Sequence, residues 1–226
     1  MLWLGLMATS VGTVQADMIT VVQQMPTTST LTPLYQTNRA PLQPVPFMKL
    51  PPGAIIPQGW LRQQLLLDAG GLPGRMEQIS EYLAPQNGWV NTNYANGWEE
   101  VPYWLRGYQE LGYVLNNQTI INDAVTNWIQ KMMATQIVTG TNAGVFGPSS
   151  IYIGANDIWA QMPACEVLRH YYDYSHNPAV ITVLTNYFNW LNANQSFIGP
   201  GWANPRWGIT WKRCIGFTIS PASRFC

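Results

Sequence analysis

The sequence predicts an all-α fold built from repeated helical hairpins. Three observations carry that prediction. Apolar residues recur at spacings of three and four in several separate windows. No window alternates at period two with β-branched residues. One hairpin also recurs along the chain. Displaced by 59 residues, "YVLNNQTIINDAVTNW" (Tyr113 to Trp128) lies on "YDYSHNPAVITVLTNY" (Tyr172 to Tyr187). Units of helix, short turn, helix and long loop stack into solenoids or close into α/α toroids.

Taken in order, residues 1–16 read as an export signal. Leu2 to Val14 is apolar, and "VQA" before Asp17 suits cleavage after small residues. The run is shorter than the ~20 residues that span a bilayer, so no stable membrane insertion is expected. The sequons Asn117-Gln118-Thr119 and Asn194-Gln195-Ser196 agree with a secreted or extracytoplasmic chain. Residues 17–59 form a segment rich in Pro, Thr and Gln, whose closely spaced prolines favour extended backbone along a domain surface.

Residues 60–208 carry the helices. Leu61, Leu65 and Ala69 step by four before Gly70 and Gly71 stop the helix. Met76, Ile79 and Leu83 suggest a short continuation after Pro73. Trp104, Tyr108, Leu111 and Leu115 form one stripe of an amphipathic helix. Ile121, Val125, Trp128 and Met132 repeat the spacing behind a cap at Thr119. Ile158, Met162, Cys165 and Tyr172 mark a fourth helix. Val180, Leu184, Tyr187 and Leu191 mark a fifth, opened by Asn177 as cap and Pro178 in the first turn. Residues 209–226 show no helical stripe and read as a divergent tail.

Only 10% of the 226 residues are charged, far below the roughly 25% of an ordinary domain, and the net charge is zero. Nucleic acid and anionic membranes demand a cationic face, so both are excluded as partners. A neutral ligand fits better. The chain has eleven tryptophans and eleven tyrosines. Most of these belong to the core, and the rest suit a site for flat neutral molecules such as carbohydrate. Cys165 lies in an apolar helical pattern and reads as a buried hydrophobe. Cys214 and Cys226 allow a disulfide that the sequence alone does not pair. No CxxC or HxxxH spacing exists, and His170 and His176 do not share a helix face, so no metal site is expected.

The long loops all fall at one end of such a repeat. They carry "NGWEEVPYW", "GANDIWAQM" (Gly154 to Met162) and "GWANPRWG" (Gly201 to Gly208), each joining Trp to polar residues ahead of a helix. If every second helix lines the inside of a ring, the three converge on one mouth. The candidate binding residues are therefore Trp98, Glu99, Glu100, Asn156, Asp157, Trp159, Arg206 and Trp207. Glu99 and Glu100 are not a glycosidase pair, because adjacent residues at a helix start point in different directions. With Pro102 at the first helical position, both would sit at the positive end of the helix. Either they cap and complement that helix, or one holds sugar hydroxyls. Asp157, with Asn156 as the alternative, would cap the fourth helix. Trp104 belongs to the core stripe and is discounted.

The stretches "LPPGAIIPQGWLRQQL", "WEEVPYWLRGYQELGYVLNN" and "FGPSSIYIGANDIWAQMPACEVLRHYYDYSHNPAVITVLTNYFNW" resemble the N-terminal half of glycoside hydrolase family 127, the β-L-arabinofuranosidase-like proteins. The resemblance runs from about Pro51 to Gly208. It implies an (α/α)6 barrel, here incomplete, and cleavage of terminal sugars from glycans. It also implies a general-acid glutamate and a zinc-held cysteine nucleophile in the later part of the barrel, and no position here matches those residues. The chain leaves the pattern at about Gly208, which suggests a truncated or frame-shifted product, or a mispredicted gene end, and an inactive protein. Half a toroid leaves apolar edges unburied, so poor solubility is expected. Three function classes result: a glycoside hydrolase, a non-catalytic carbohydrate-binding protein and a helical-repeat interaction protein.

Overall fold

The computed structural model describes residues 50–84, 86–94, 99–148 and 158–194. Among these residues the protein is all-α, with five helices and no strand. They are α1 (Gly59–Gly70), α2 (Glu100–Leu115), α3 (118–134), α4 (Gln161–Ser175) and α5 (Pro178–Ala193). In α3 a π-helical stretch, Ala124–Ile129, interrupts two α-helical parts. The export signal, most of the Pro-rich segment and the divergent tail lie outside the described residues.

After α1 the expected continuation breaks into single turns at Leu72–Arg75, Met76–Gln78 and Glu81–Leu83. The chain doubles back tightly there. A Cβ on Gly74 would lie only 1.9 Å from the Ala69 carbonyl oxygen. Leu83 is buried, but Ile79 is exposed, so the three-residue stripe does not act as one face.

The stripes of α2, α3 and α5 are largely as expected, whereas α1 buries none of Leu61, Leu65 and Ala69 and Ile158 lies ahead of α4. Tyr108, Leu111 and Leu115 of α2 are buried, as are Ile121, Trp128 and Met132 of α3 and Val180, Leu184, Tyr187 and Leu191 of α5. Cys165 is buried on α4. Two helix starts differ from expectation. Pro102 is the third residue of α2 and Pro163 the third of α4. The first four N–H groups of a helix have no intrahelical acceptor, so proline fits anywhere in that turn. And α4 begins at Gln161 behind Ala160, later than a cap at Asp157 requires.

Both hairpins turn in the same way. Asn116 ends α2 in the left-handed conformation and His176 ends α4 likewise. The next residue then caps the following helix. Asn117 accepts from the Thr119 and Ile120 amides, and Asn177 accepts from the Ala179 amide. Asn117, not Thr119, is thus the cap of α3. Thr119 is already inside the helix, where its own amide needs a partner.

These turns stand sixty residues apart, as Asn117 and Asn177 show, not 59. Ile120 pairs with Val180, Ile121 with Ile181 and Ala124 with Leu184, and all six are buried. Within the π stretch the register changes to 59. Trp128 now matches Tyr187 and Met132 matches Leu191, again all buried. A π turn holds one extra residue in an otherwise continuous helix. The π stretch of α3 therefore absorbs a single inserted residue, and the 59-residue offset holds only from Trp128 onward.

The first helices of the two hairpins, α2 and α4, pack side by side. Glu99 meets Trp159, Arg106 meets Glu166 and Glu110 meets His170, so each residue touches its counterpart sixty positions on. Ascending pairs on both helices mean that α2 and α4 run parallel. The long loops leading into them also touch. Trp89 packs edge-on against Phe146 at 6.2 Å. A Cβ on Gly147, whose φ is +82°, would lie 2.5 Å from the Trp89 ring. One apolar core joins these loop residues to α2, α3, α4 and α5.

Replacing Asn117 or Asn177 with alanine is expected to lower unfolding free energy by about 1 kcal/mol each. Thr119→Ala should change it little. Urea titrations of the three variants decide between the caps.

Candidate functional site

The site is built where α2 and α4 begin. Glu99 immediately precedes α2, but its backbone is already helical and its side chain makes no capping bond. Its carboxylate instead accepts the indole N–H of Trp159, the residue two places ahead of α4. The capping role considered for Glu99 is therefore replaced by a bridge between the two junctions. Glu100 is the first residue of α2, half-buried, with its charge beside the positive end of the helix dipole.

Aromatic and charged side chains surround this bridge. The Tyr103 ring lies 6.4 Å from the Trp159 ring, tilted by 50°. The Arg106 guanidinium sits 5.4 Å above the Tyr103 ring and pairs with Glu166. Trp159 commits its only polar atom to Glu99, which fixes the indole plane. Tyr103 is exposed and Trp159 half-buried. The result is a shallow aromatic surface edged by carboxylates and one guanidinium.

Further along the two helices the contacts continue. Gln109 donates to the Val167 carbonyl at 3.1 Å and accepts from the Tyr113 hydroxyl at 3.1 Å. Tyr113 stacks on Tyr174 with centroids 4.0 Å apart. His170 Nδ1 stands 2.5 Å from Glu110 Oε1 but is bent away from hydrogen-bonding geometry. Arg169 approaches the other ring nitrogen at 2.6 Å. A guanidinium only donates, so Nε2 is the acceptor in that contact. These contacts hold α2 and α4 in register beneath the site.

Of the eight candidates, the structure brings Glu99 and Trp159 into contact and places Glu100 next to Glu99. Trp98, Asn156, Asp157, Arg206 and Trp207 lie outside the described residues. Trp104, discounted as core, donates to the Pro73 carbonyl at 2.9 Å and stacks on Tyr108 at 4.6 Å. Tyr103, Arg106 and Glu166 were not among the candidates. A signal for two of them was present. Glu99, Tyr103, Arg106 and Glu110 are spaced four, three, four, the same step as the core stripe five residues on.

A second ionisable cluster lies behind the core stripe. The Tyr108 hydroxyl donates to Asp123 at 3.1 Å, and Asn127 donates to the same carboxylate at 2.7 Å. Burial first, and the Asp123 and Glu77 carboxylates after it, push the Tyr108 hydroxyl well above its ordinary range. Glu77 is also raised, by burial and then by Asp123. The buried Trp128 indole N–H faces Glu77 and offsets part of that rise without closing a regular hydrogen bond.

Among the described residues no group of three His, Cys, Asp or Glu side chains could hold a metal ion. Cys165, buried within α4, has no such company, so the zinc implied by the resemblance has no seat there. No helix of the described residues is long and apolar enough to cross a membrane. Comparison with protein-family models, curated proteins and solved structures finds no match for this chain.

Two outcomes are expected. A double-mutant cycle with Glu99→Gln and Trp159→Phe should give a coupling of about 1 kcal/mol in unfolding experiments. Glu77 has a raised value in the folded state. Its favourable contribution is therefore complete below the ordinary glutamate value of about 4.3 and is lost as pH rises through the folded value. Glu77→Gln should then stabilise the protein at neutral pH, with the gain shrinking on acidification. Melting temperatures of both proteins across that range check the sign.

Proposed function

We propose that this chain is a glycoside hydrolase-like carbohydrate-binding protein, with its sugar seated over Tyr103 and Trp159 beside Glu99. The observation that carries the reading is the Glu99–Trp159 bond, which joins two repeat-equivalent loop–helix junctions into one surface. Indole and phenol faces stack on the apolar face of a sugar ring, while carboxylates and a guanidinium bond its hydroxyls. The low charge content of the chain and its zero net charge favour a neutral ligand.

The resemblance to β-L-arabinofuranosidase-like proteins makes a terminal arabinofuranoside the first ligand to try. It also supports placing the hairpins in an (α/α)6 barrel, with α2 and α4 as adjacent inner helices and the site at the mouth. Export from the cytoplasm suits glycans as ligands. We infer binding without turnover. Glu99 is engaged by Trp159 and Glu166 by Arg106, so the described site offers no pair of carboxyls facing each other across a sugar.

Isothermal titration with arabinofuranosides should detect binding, weakened at least about tenfold by Trp159→Ala, a loss of roughly 1.4 kcal/mol. Aryl-arabinofuranosides should release no aglycone. Sugar titrations that show no heat and no chemical-shift change would remove this reading, and steady turnover would restore the hydrolase.

A further inference from the structure

The two hairpin turns use the same atom of their capping asparagine but differ at the other end of the amide. At the α2–α3 turn, Asn117 Oδ1 accepts the Thr119 amide at 3.1 Å and the Ile120 amide at 3.3 Å. Its nitrogen, Nδ2, has no hydrogen-bond partner among the described residues. At the α4–α5 turn, Asn177 Nδ2 donates to the Tyr171 hydroxyl at 3.3 Å. Only the first of these asparagines opens an Asn-x-Thr triplet, because Asn177 is followed by Pro178 and Ala179.

The second triplet of this kind begins at Asn194, and its nitrogen is engaged too. Asn194 Nδ2 donates to the Trp190 carbonyl at 2.8 Å, which turns it back onto the last turn of α5. At the first triplet Asn116, Gln118 and Thr119 are exposed and Asn117 is half-buried. A planar amide sends its oxygen and nitrogen in different directions. With Oδ1 held on the start of α3, Nδ2 points away from the amides that hold it.

We propose that Asn117 is an N-glycosylation site, which carries an oligosaccharide on Nδ2 while Oδ1 continues to cap α3. The proposal rests on the reading of residues 1–16 as an export signal. The co-reactant is an oligosaccharide carried on a lipid pyrophosphate in the secretory lumen. A bond forms between Nδ2 and the anomeric carbon. The bond from that carbon to the pyrophosphate breaks, and the pyrophosphate leaves with the electron pair. Nδ2 gives one of its two protons to a base of the transferase and keeps the other. Oδ1 takes no part, so both capping bonds survive. The modified turn stands at the far end of the 16-residue helix α2 from Glu99, about 24 Å along its axis, so the glycan leaves the sugar site open.

The test is peptide mass mapping of the full chain, made in a glycosylating secretory host behind a host leader, so that its own export signal is not at issue. The mass of one glycan should appear at Asn117 and none at Asn194. Two variants remove the acceptor and keep a cap. Thr119→Ala breaks the triplet, and Asn117→Asp retains a capping oxygen without the nitrogen. Both should lose the glycan with helix content and sugar binding unchanged. An unmodified Asn117 overturns the proposal, as does a glycan carried by Asn194 instead. Amide hydrogen exchange at Thr119 and Ile120 that is faster in the glycosylated chain than in Asn117→Asp also overturns it, because the cap would then have been lost.

Discussion

Two helices running in the same direction, each residue beside its counterpart sixty positions on, organise the described part of this molecule. The other placements depend on that alignment. It brings the two helix starts together, and with them Glu99 and Trp159. It also brings the two long loops into contact through Trp89, Phe146 and Gly147. The polar contacts along it set register more than they supply stability. Partly exposed ion pairs such as Arg106–Glu166 contribute little, whereas the apolar core beneath carries most of the free energy.

Parallel neighbours have an electrostatic consequence. Two helix dipoles that point the same way place two positive ends at one edge, which is unfavourable unless negative charge lies near. Glu99 and Glu100 stand there, in a chain with few charges to spare. Their adjacency thus has a structural reason as well as the binding role proposed for them. Glu99 serves both, because its bond to Trp159 orients the ring that a ligand would meet.

The helices were legible in the sequence because their stripes follow the helical period closely. Asn177 with Pro178 announced α5 without ambiguity. The cap of α3 was not legible in the same way. An offset of 59 sets Asn177 against Gln118, which cannot cap, and points past Asn117. The true offset at the turn is sixty, and only the π stretch of α3 reveals the extra residue. Tyr103 and Arg106 escaped notice for another reason. Their spacing is helical, but a mixed polar and aromatic stripe reads as a solvated face until a neighbouring helix is known to run alongside it. That neighbour is sixty residues away, and local periodicity carries no record of it.

The π stretch at Ala124–Ile129 gives the repeat a length buffer. The two hairpins differ by one residue, yet that difference is held inside α3 and never reaches the turn or the helix pair. The turn at Asn116 and Asn117 has no such slack. One residue added there would rotate the start of α3 by about 100° and carry Ile120 and Ile121 away from Gly112. Copies of this hairpin can therefore drift in length along their second helices but not at their turns. A lineage of such repeats would keep its turns fixed in length and record its insertions as widened helical turns.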